Sequence, residues 1–245
     1  LSVAVTKDAI YSKPQEHIVD FALDERVASV FPDMIRRSVP GYGDIIALLG
    51  LFAEQYAQDG STLYDLGCSL GAATLSLRRR IRAANCRIIA VDNAAAMVER
   101  CRENIAADLS PTPVEVRCAD IREVTFNNAS VVVLNFTLQF LAPEERLALL
   151  QKIHAGMLPG GVLILSEKLC FAEKQSQQFQ EQMHLAFKRA NGYSELEISQ
   201  KRQALEKVLI PETLTQHCER LREAGFSRSE PWFQAFNFGS IAAFK

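Results

Sequence analysis

The stretch Asp65-Leu66-Gly67-Cys68-Ser69-Leu70-Gly71 joins a short apolar run to a helical one and decides the fold. Gly67 permits a sharp turn and a close approach of the backbone to a ligand, and Gly71 lets the next helix begin tightly against that turn. A strand that runs through such a turn into a helix is typical of the first unit of a doubly wound α/β sheet. The turn therefore predicts a ligand-binding site at this end of the sheet.

The alternation of strands and helices continues beyond the turn. The apolar runs predict strands at 63–66, 86–91, 114–118, 130–136 and 162–166, with helical segments between them. Strands spaced in this way favour a parallel sheet with helices on both faces. The runs at 226–236 and 240–244 predict two final strands that pair antiparallel. We therefore predict an α/β fold: a doubly wound, mostly parallel, seven-stranded sheet.

Helical patterns lie on either side of this core, and we predict one domain over residues 1–245. An N-terminal helical segment of about 21–58 contains one helix to Val39 and a second that Asp44 caps. A polar helical insertion spans about 173–209 and is broken at Asn191-Gly192. Residues 1–20 show no strong periodicity.

Composition excludes several classes of function. Lys and Arg number 27 and Asp and Glu 29, so the net charge of −2 disfavours direct binding of nucleic acid. No apolar stretch approaches the ~20 residues that span a bilayer, so we expect no membrane segment. The six cysteines are scattered as in a reducing compartment, and the N-terminus lacks secretory features, so we expect a cytoplasmic protein. The four histidines are equally dispersed and predict no metal site.

Acidic residues end the second and third predicted strands. Asp92 follows Gly67 by 25 residues, and its carboxylate can accept hydrogen bonds from both hydroxyls of a ribose. Asp120 offers an acceptor to an adenine amino group, and Ile121 offers an apolar surface to the ring. Asn93 is open to two interpretations, a ligand contact or a simple helix cap. Together, three consecutive strands end in residues that suit the parts of an adenosine.

Three interpretations of the turn compete. A dinucleotide fold requires G-x-G-x-x-G, and Ser69 stands at the middle glycine. A hydrolase elbow, G-x-S-x-G, matches literally with Ser69 as nucleophile, but too little sheet precedes it and no histidine follows a late strand. The S-adenosylmethionine-binding variant tolerates small residues here, has an acidic residue before the first glycine and ends in an antiparallel hairpin. The third interpretation fits best.

Longer segments resemble one family within the class I S-adenosylmethionine-dependent methyltransferase superfamily. From about Phe21 to Lys245 the chain is similar to carboxy-S-adenosyl-L-methionine synthases. The segments that carry this resemblance are VFPDMIRRSVPGYGDII, LYDLGCSLGAATLSLRR, ASVVVLNFTLQFL, KRANGYSELEISQKR and WFQAFNFGS. General methyltransferases share the first part of the fold but lack these strings.

The resemblance implies a reaction in which S-adenosyl-L-methionine and prephenate yield carboxy-S-adenosyl-L-methionine and phenylpyruvate. Prephenate loses carbon dioxide and hydroxide, and the methyl carbon, as a sulfonium ylide, captures the carbon dioxide. No side chain is an evident general base, so we expect the departing hydroxide to take the methyl proton. The resemblance further implies a homodimer whose product serves a separate enzyme that carboxymethylates a wobble uridine in tRNA (5-oxyacetyl uridine).

The family's binding positions are all present in this sequence. Asn135 would present its amide to the methionine portion, and Tyr42 would enclose the sulfonium with its ring. Arg202, which by pattern alone indicates a solvated helix face, would hold the new carboxylate as a bidentate partner. Tyr42 and Arg202 are therefore the catalytic candidates. The full set of binding candidates is Tyr42, Gly67, Cys68, Ser69, Asp92, Asn93, Asp120, Ile121, Asn135 and Arg202.

Two other functions remain open at this point. An ordinary methyltransferase of a small molecule or RNA would release S-adenosylhomocysteine and would not need Arg202. A non-catalytic S-adenosylmethionine-binding protein would bind the ligand without turnover.

Overall fold

The computed structural model of the protein describes residues 6–14 and 24–245. Residues 6–14 form turns without a helix or a strand. The first residues of the predicted N-terminal helical segment, 21–23, lie outside the described residues, as does most of the 1–20 segment.

The sheet has the predicted seven strands, and the fold class is confirmed. The strands are ordered β3-β2-β1-β4-β5-β7-β6; β1 to β5 are parallel, and β7 runs antiparallel to both β5 and β6. Their bounds are Thr62–Leu66 for β1, Arg87–Asp92 for β2, Val114–Cys118 for β3, Ala129–Asn135 for β4, Met157–Lys168 for β5, Arg228–Ala235 for β6 and Phe238–Phe244 for β7.

Eight α-helices accompany the sheet in the described part of the chain. A short 3₁₀ turn, Leu138–Phe140, follows β4. The helices are α1 Glu25–Ser38, α2 Tyr42–Tyr56, α3 Ala72–Arg80, α4 Ala95–Ala107, α5 Pro143–Gly156, α6 Lys174–Ala190, α7 Glu195–Leu205 and α8 Leu214–Glu223.

Two predicted boundaries were wrong. Helix α2 begins at Tyr42 and not at Asp44, because Gly41 occupies the N-cap position with φ +74°, a left-handed conformation that favours glycine. Strand β5 begins at Met157 and not at Val162. Gly160 and Gly161 continue the strand because their backbones exchange hydrogen bonds with Lys245 at 3.2 and 3.1 Å.

Alternate residues of the central strands pack into two separate cores, one on each face of the sheet. Val131 and Val133 of β4 face the core beneath α2 and α3, whereas Val132 and Leu134 face the core that includes α5 and α8. All four side chains are fully buried, as the unbroken apolar run predicts for a strand covered on both faces. The two layers of helices thereby leave the carboxyl ends of the strands as the place where a ligand can enter.

A buried ion pair ties α5 to the segment before α8. The Arg146 guanidinium is 0% exposed and pairs with Glu212, which also accepts a hydrogen bond from Arg220. Arg146 further donates to the backbone oxygens of Leu141 and Ile210 at 2.9 and 2.8 Å. Removal of this side chain would leave Oε2 of the buried Glu212 carboxylate and several carbonyls without their Arg146 donor, while Arg220 still pairs with Oε1 of Glu212.

We expect Arg146→Met to lower the free energy of unfolding by about 3–5 kcal/mol, because it breaks a buried pair from one side. Arg117→Met is the control: Arg117 pairs with Glu115 on the surface, and its loss should cost less than about 1 kcal/mol. Chemical denaturation of both variants measures the difference. Equal losses would show that the Arg146 pair contributes no more than a surface pair.

Candidate substrate-binding site

One cavity of about 530 Å³ crosses the carboxyl ends of β1 to β5. Nine of the ten candidate residues line it, so the topology brings together positions that are up to 93 residues apart in the chain. Arg202 is not among the lining residues. The nine that line it are Tyr42, Gly67, Cys68, Ser69, Asp92, Asn93, Asp120, Ile121 and Asn135.

The turn after β1 has the sharp geometry that its sequence predicts. Gly67 has φ +80°, and a Cβ at this position would collide with the Thr137 side chain, so no other residue fits without a shift. The amides of Gly67 and Cys68 both donate to the carbonyl of Val91, at 2.8 and 2.9 Å. Ser69 also adopts a positive φ of 48°, which turns its amide towards the end of β2.

The Asp92 carboxylate is held in place by the backbone around it. It accepts hydrogen bonds from the amides of Ser69 and Ala94, both at 2.9 Å, and is 4% exposed. Burial raises the pKa of Asp92 above its ordinary value. Asn93 does not cap helix α4, because the N-cap residue is Ala94. The helix-cap interpretation of Asn93 is therefore wrong, and its side chain is available for contact with a ligand.

Two buried oxygen atoms of the cavity wall have no hydrogen-bond partner within residues 6–14 and 24–245. They are Oδ1 of Asp65, at the end of β1, and Oδ1 of Asn135, at the end of β4. Oδ2 of Asp65 accepts from the Thr74 hydroxyl at 2.5 Å, which fixes the carboxyl group. Buried acceptors without donors are costly unless a ligand supplies the donor. Each of these oxygens can accept a hydrogen bond from a ligand donor such as an ammonium group.

Asp120 is partnered by an arginine that the sequence analysis missed. Arg122 lines the cavity and donates to Asp120 at 3.0 Å from Nε and 2.5 Å from Nη2, and it also contacts Glu145 at 2.5 Å. The hydrogen bonds from Arg122 lower the pKa of Asp120, so the group remains a charged acceptor. The neighbouring Ile121 side chain is buried in the cavity wall.

Tyr42, the first residue of α2, lines the cavity near Phe136, the residue after β4. Its ring lies 6.3 Å from that of Phe136 between centroids. Burial raises the pKa of the Tyr42 hydroxyl, so Tyr42 stays neutral. Tyr42 thus offers an aromatic surface beside the unpartnered acceptors of Asp65 and Asn135.

Basic side chains that sequence reasoning missed line the cavity beyond β4. Lys168 ends β5, Lys188 lies near the end of α6, Lys201 lies in α7, and His184 lies one turn before Lys188. Arg202 is exposed, although it is the next residue after Lys201. The described residues contain no cluster of three or more His, Cys, Asp or Glu that could hold a metal ion, and none of their helices is long and apolar enough to cross a membrane.

Solved structures with a similar fold define the class. An O-methyltransferase family protein from Burkholderia thailandensis matches with a TM-score of 0.62 at 18% identity, over 91% of this chain and 60% of that one. Human N-acetylserotonin methyltransferase, solved in complex with SAM, matches with a TM-score of 0.61 at 15% identity, over 90% and 55%. The chain thus spans about three fifths of these solved proteins. A family model described as "Methyltransferase domain" matches residues 63–161. The fold is that of the class I methyltransferases.

Closer relatives narrow this class to one family. Carboxy-S-adenosyl-L-methionine synthase of Geobacter sp. (strain M21) is 64% identical over 97% of this chain and 98% of the relative. The synthase of Shewanella pealeana is 58% identical over 98% and 99%. The chain belongs to the carboxy-S-adenosyl-L-methionine synthase family, and the resemblance noted in the sequence is confirmed.

The buried Asp65 carboxyl predicts a pH dependence of stability. Burial raises its pKa to about 6, whereas the unfolded chain keeps it near 3.8. As pH rises between these values the unfolded state ionises first, so the free energy of unfolding of the wild type should fall relative to Asp65→Asn. The expected relative loss is about 3 kcal/mol, and it is complete by about pH 7, above the pKa of the folded state.

Chemical denaturation of the wild type and Asp65→Asn between about pH 4 and pH 8 tests this. The difference between the two curves isolates Asp65 from the other titrating groups. A difference that does not change with pH would contradict the raised pKa.

Proposed function

We propose that the protein is a carboxy-S-adenosyl-L-methionine synthase that uses S-adenosyl-L-methionine and prephenate as substrates. The observation that carries the proposal is the extent of the likeness. The methyltransferase model matches only residues 63–161, whereas identity of 64% to a synthase extends over 97% of the chain. Helices α6 and α7 line part of the cavity. They lie outside the region that the methyltransferase model matches, but the similarity to synthases extends over almost the whole chain.

The strand ends supply a complementary surface for S-adenosylmethionine. Asp92 receives the ribose hydroxyls, and Asp120 and Ile121 receive the adenine. The unpartnered oxygens of Asp65 and Asn135 support a place for the methionine ammonium between β1 and β4. Tyr42 then lies beside the sulfonium, where an aromatic ring favours a positive charge.

The proposed reaction balances in atoms and charge, and it needs no oxidant or reductant. Prephenate loses its ring carboxyl group as carbon dioxide and its ring hydroxyl group as hydroxide, and becomes phenylpyruvate. A proton leaves the sulfonium methyl group and joins the hydroxide to form water, while the methyl carbon bonds to the carbon dioxide. The protein's own contribution is to hold both substrates together and keep the carbon dioxide from escaping.

Arg202 is proposed to hold the transferred carboxylate. The side chain is exposed on α7, and its charge lies near enough to lower the pKa values of Lys168 and Lys188, after the larger effect of burial. This influence supports a position for Arg202 near the basic part of the cavity. A guanidinium is suited to this position because it stays charged and binds a carboxylate with two parallel hydrogen bonds.

A homodimer forms part of the proposal, with α6 and α7 as the contact. Phe179 of α6 is 56% exposed and Leu196 of α7 is 38% exposed, so both helices present apolar side chains to the outside. A partner subunit seated here would cover the exposed Arg202 and bring it into a closed site. Light scattering should report twice the 27.3 kDa of one chain.

We propose that the reaction takes place in the cytoplasm and that the product passes to a separate tRNA carboxymethyltransferase. All six cysteines are free, as is usual in a reducing compartment. The net charge of −2 fits an enzyme that itself makes no contact with RNA.

The deciding experiment is incubation of the purified protein with S-adenosylmethionine, with and without prephenate, followed by mass analysis of the nucleoside. We expect a product heavier by the mass of carbon dioxide, formed only when prephenate is present. S-adenosylhomocysteine as product would indicate a methyltransferase of a small molecule or RNA. Tight binding without any product would indicate a non-catalytic binding protein.

We expect Arg202→Lys to weaken binding of carboxy-S-adenosylmethionine about ten- to a hundredfold, because lysine cannot form the paired hydrogen bonds. Binding of S-adenosylmethionine, which lacks the carboxylate, should change little. Calorimetry with both ligands makes the comparison. Equal losses for the two ligands would remove Arg202 from this role.

A further inference from the structure

The three lysines of the cavity come from separate elements and meet beyond β4. Lys168 is the last residue of β5, which in the sheet lies on the far side of β4 from β1, β2 and β3. Lys188 and Lys201 approach from α6 and α7. They therefore lie past the methionine end of the proposed nucleoside site, where a second substrate must sit to reach the sulfonium methyl group.

Carboxylates line the cavity on the other side only. They belong to the ends of β1 and β2, to the residues after β3 and to α5, and are Asp65, Asp92, Asp120 and Glu145. From β5, α6 and α7, the described residues contribute no acidic side chain to the lining. Glu181 of α6 is outside the lining, but its charge acts on Lys168 against the larger effect of burial. The lining itself supplies no negative charge here, so a bound anion can neutralise the positive charge that remains.

Lys201 already has partners in the protein. Its Nζ donates to the Ser38 hydroxyl at 2.9 Å and lies 3.8 Å from Oδ2 of Asp8. Asp8 also accepts a hydrogen bond from the Tyr193 hydroxyl at 2.5 Å, so it is firmly placed. Lys201 is therefore partly neutralised before any ligand binds.

Lys188 has no such partner. Its side chain is 8% exposed, yet its ammonium makes no hydrogen bond and no ion pair with any residue in 6–14 or 24–245. Burial, with Lys201, Lys168 and Arg202 adding to it, lowers the pKa of Lys188 to about 7. A buried cation without a counter-charge destabilises a fold. The position of Lys188 in the cavity wall is explained if a bound anion supplies the missing counter-charge.

We propose that Lys188 and Lys168 bind the side-chain 2-oxo carboxylate of the second substrate, with Lys201 supporting their field. This inference rests on the proposed function. Prephenate carries two carboxylates, and the ring carboxylate must lose its charge as carbon dioxide departs. Firm ion pairing there would stabilise the ground state and oppose the reaction. The 2-oxo carboxylate keeps its charge throughout and suits a fixed cationic receptor.

His184 contributes no charge to this receptor. Its Nε2 lies 2.8 Å from the carbonyl oxygen of Ser38, to which it donates. Burial lowers the pKa of His184 to about 3, so the ring is neutral at physiological pH. The charged groups that face Lys188 are then Lys168 from β5 and Lys201 and Arg202 from α7.

Lys188→Met tests the receptor, with phenylpyruvate and prephenate as the probes in calorimetry on protein saturated with S-adenosylhomocysteine, which lacks the methyl group and so cannot react with prephenate. We expect both probes to bind about ten- to a hundredfold more weakly, because a charge-assisted contact is lost. Affinity for S-adenosylmethionine itself should be unchanged, and the variant should fold at least as well because a buried charge is gone. Lys188→Arg should recover part of the loss.

Lys174→Met is the matched control, since Lys174 lies exposed at the start of the same helix. It should bind both probes as the wild type does.

Above pH 7, binding of phenylpyruvate to the wild type should take up a proton, because the anion restores the charge of Lys188. Calorimetry in two buffers of different ionisation enthalpy measures this uptake, which Lys188→Met should lack.

Three results would overturn the inference while the proposed function stands. In each, the wild type binds prephenate and forms the carboxylated nucleoside. Lys188→Met could bind both probes normally, which would exclude Lys188 from the receptor. It could lose prephenate but keep phenylpyruvate, which would assign Lys188 to the ring carboxylate. It could lose S-adenosylmethionine equally, which would indicate a general structural role. A wild type that forms no product would instead refute the proposed function.

Discussion

Everything in this protein depends on the parallel pairing of β1 with β2 and with β4. That pairing aligns the ends of the strands, so that polar side chains distant in the chain face one cavity. The cost is a set of buried groups that the protein itself does not satisfy, among them one oxygen each of Asp65 and Asn135. The fold tolerates them because two extensive apolar cores, one on each face of the sheet, supply the stability.

The part of the site that follows β1, β2 and β3 was predictable because each position is local. A strand, a tight turn and a helix start lie within a few residues of one another, and glycine and aspartate leave distinct signals there. The basic part was not predictable in this way. Lys168, Lys188 and Lys201 are single charges in otherwise ordinary segments, and only the tertiary fold brings them to one wall. Charged residues in helices usually indicate a solvated face, so the sequence pattern did not predict that these lysines line a cavity.

Lys201 and Arg202 illustrate the same limit within one helix. Successive helical residues point in directions about 100° apart, so one of them faces the cavity while the next faces outward. The sequence resemblance names Arg202 as a binding residue, whereas in the structure Lys201 is the residue of this pair that lines the cavity. The strand boundaries were predicted to within a residue or two except at β5. There the Pro159-Gly160-Gly161 stretch, typical of a turn, is drawn into the sheet by Lys245.

The contact of Asp8 with Lys201 and Tyr193 links the beginning of the described chain to helix α7. Gln200 strengthens that link, since its amide donates to the carbonyls of Tyr11 and Lys13 at 2.9 Å each. Asp8 consequently acts on the charge of Lys201 in the cavity wall, and Tyr11 and Lys13 help to hold this segment against α7. Any trimmed or tagged form of the enzyme that displaces Asp8 would alter how strongly the basic wall attracts anions.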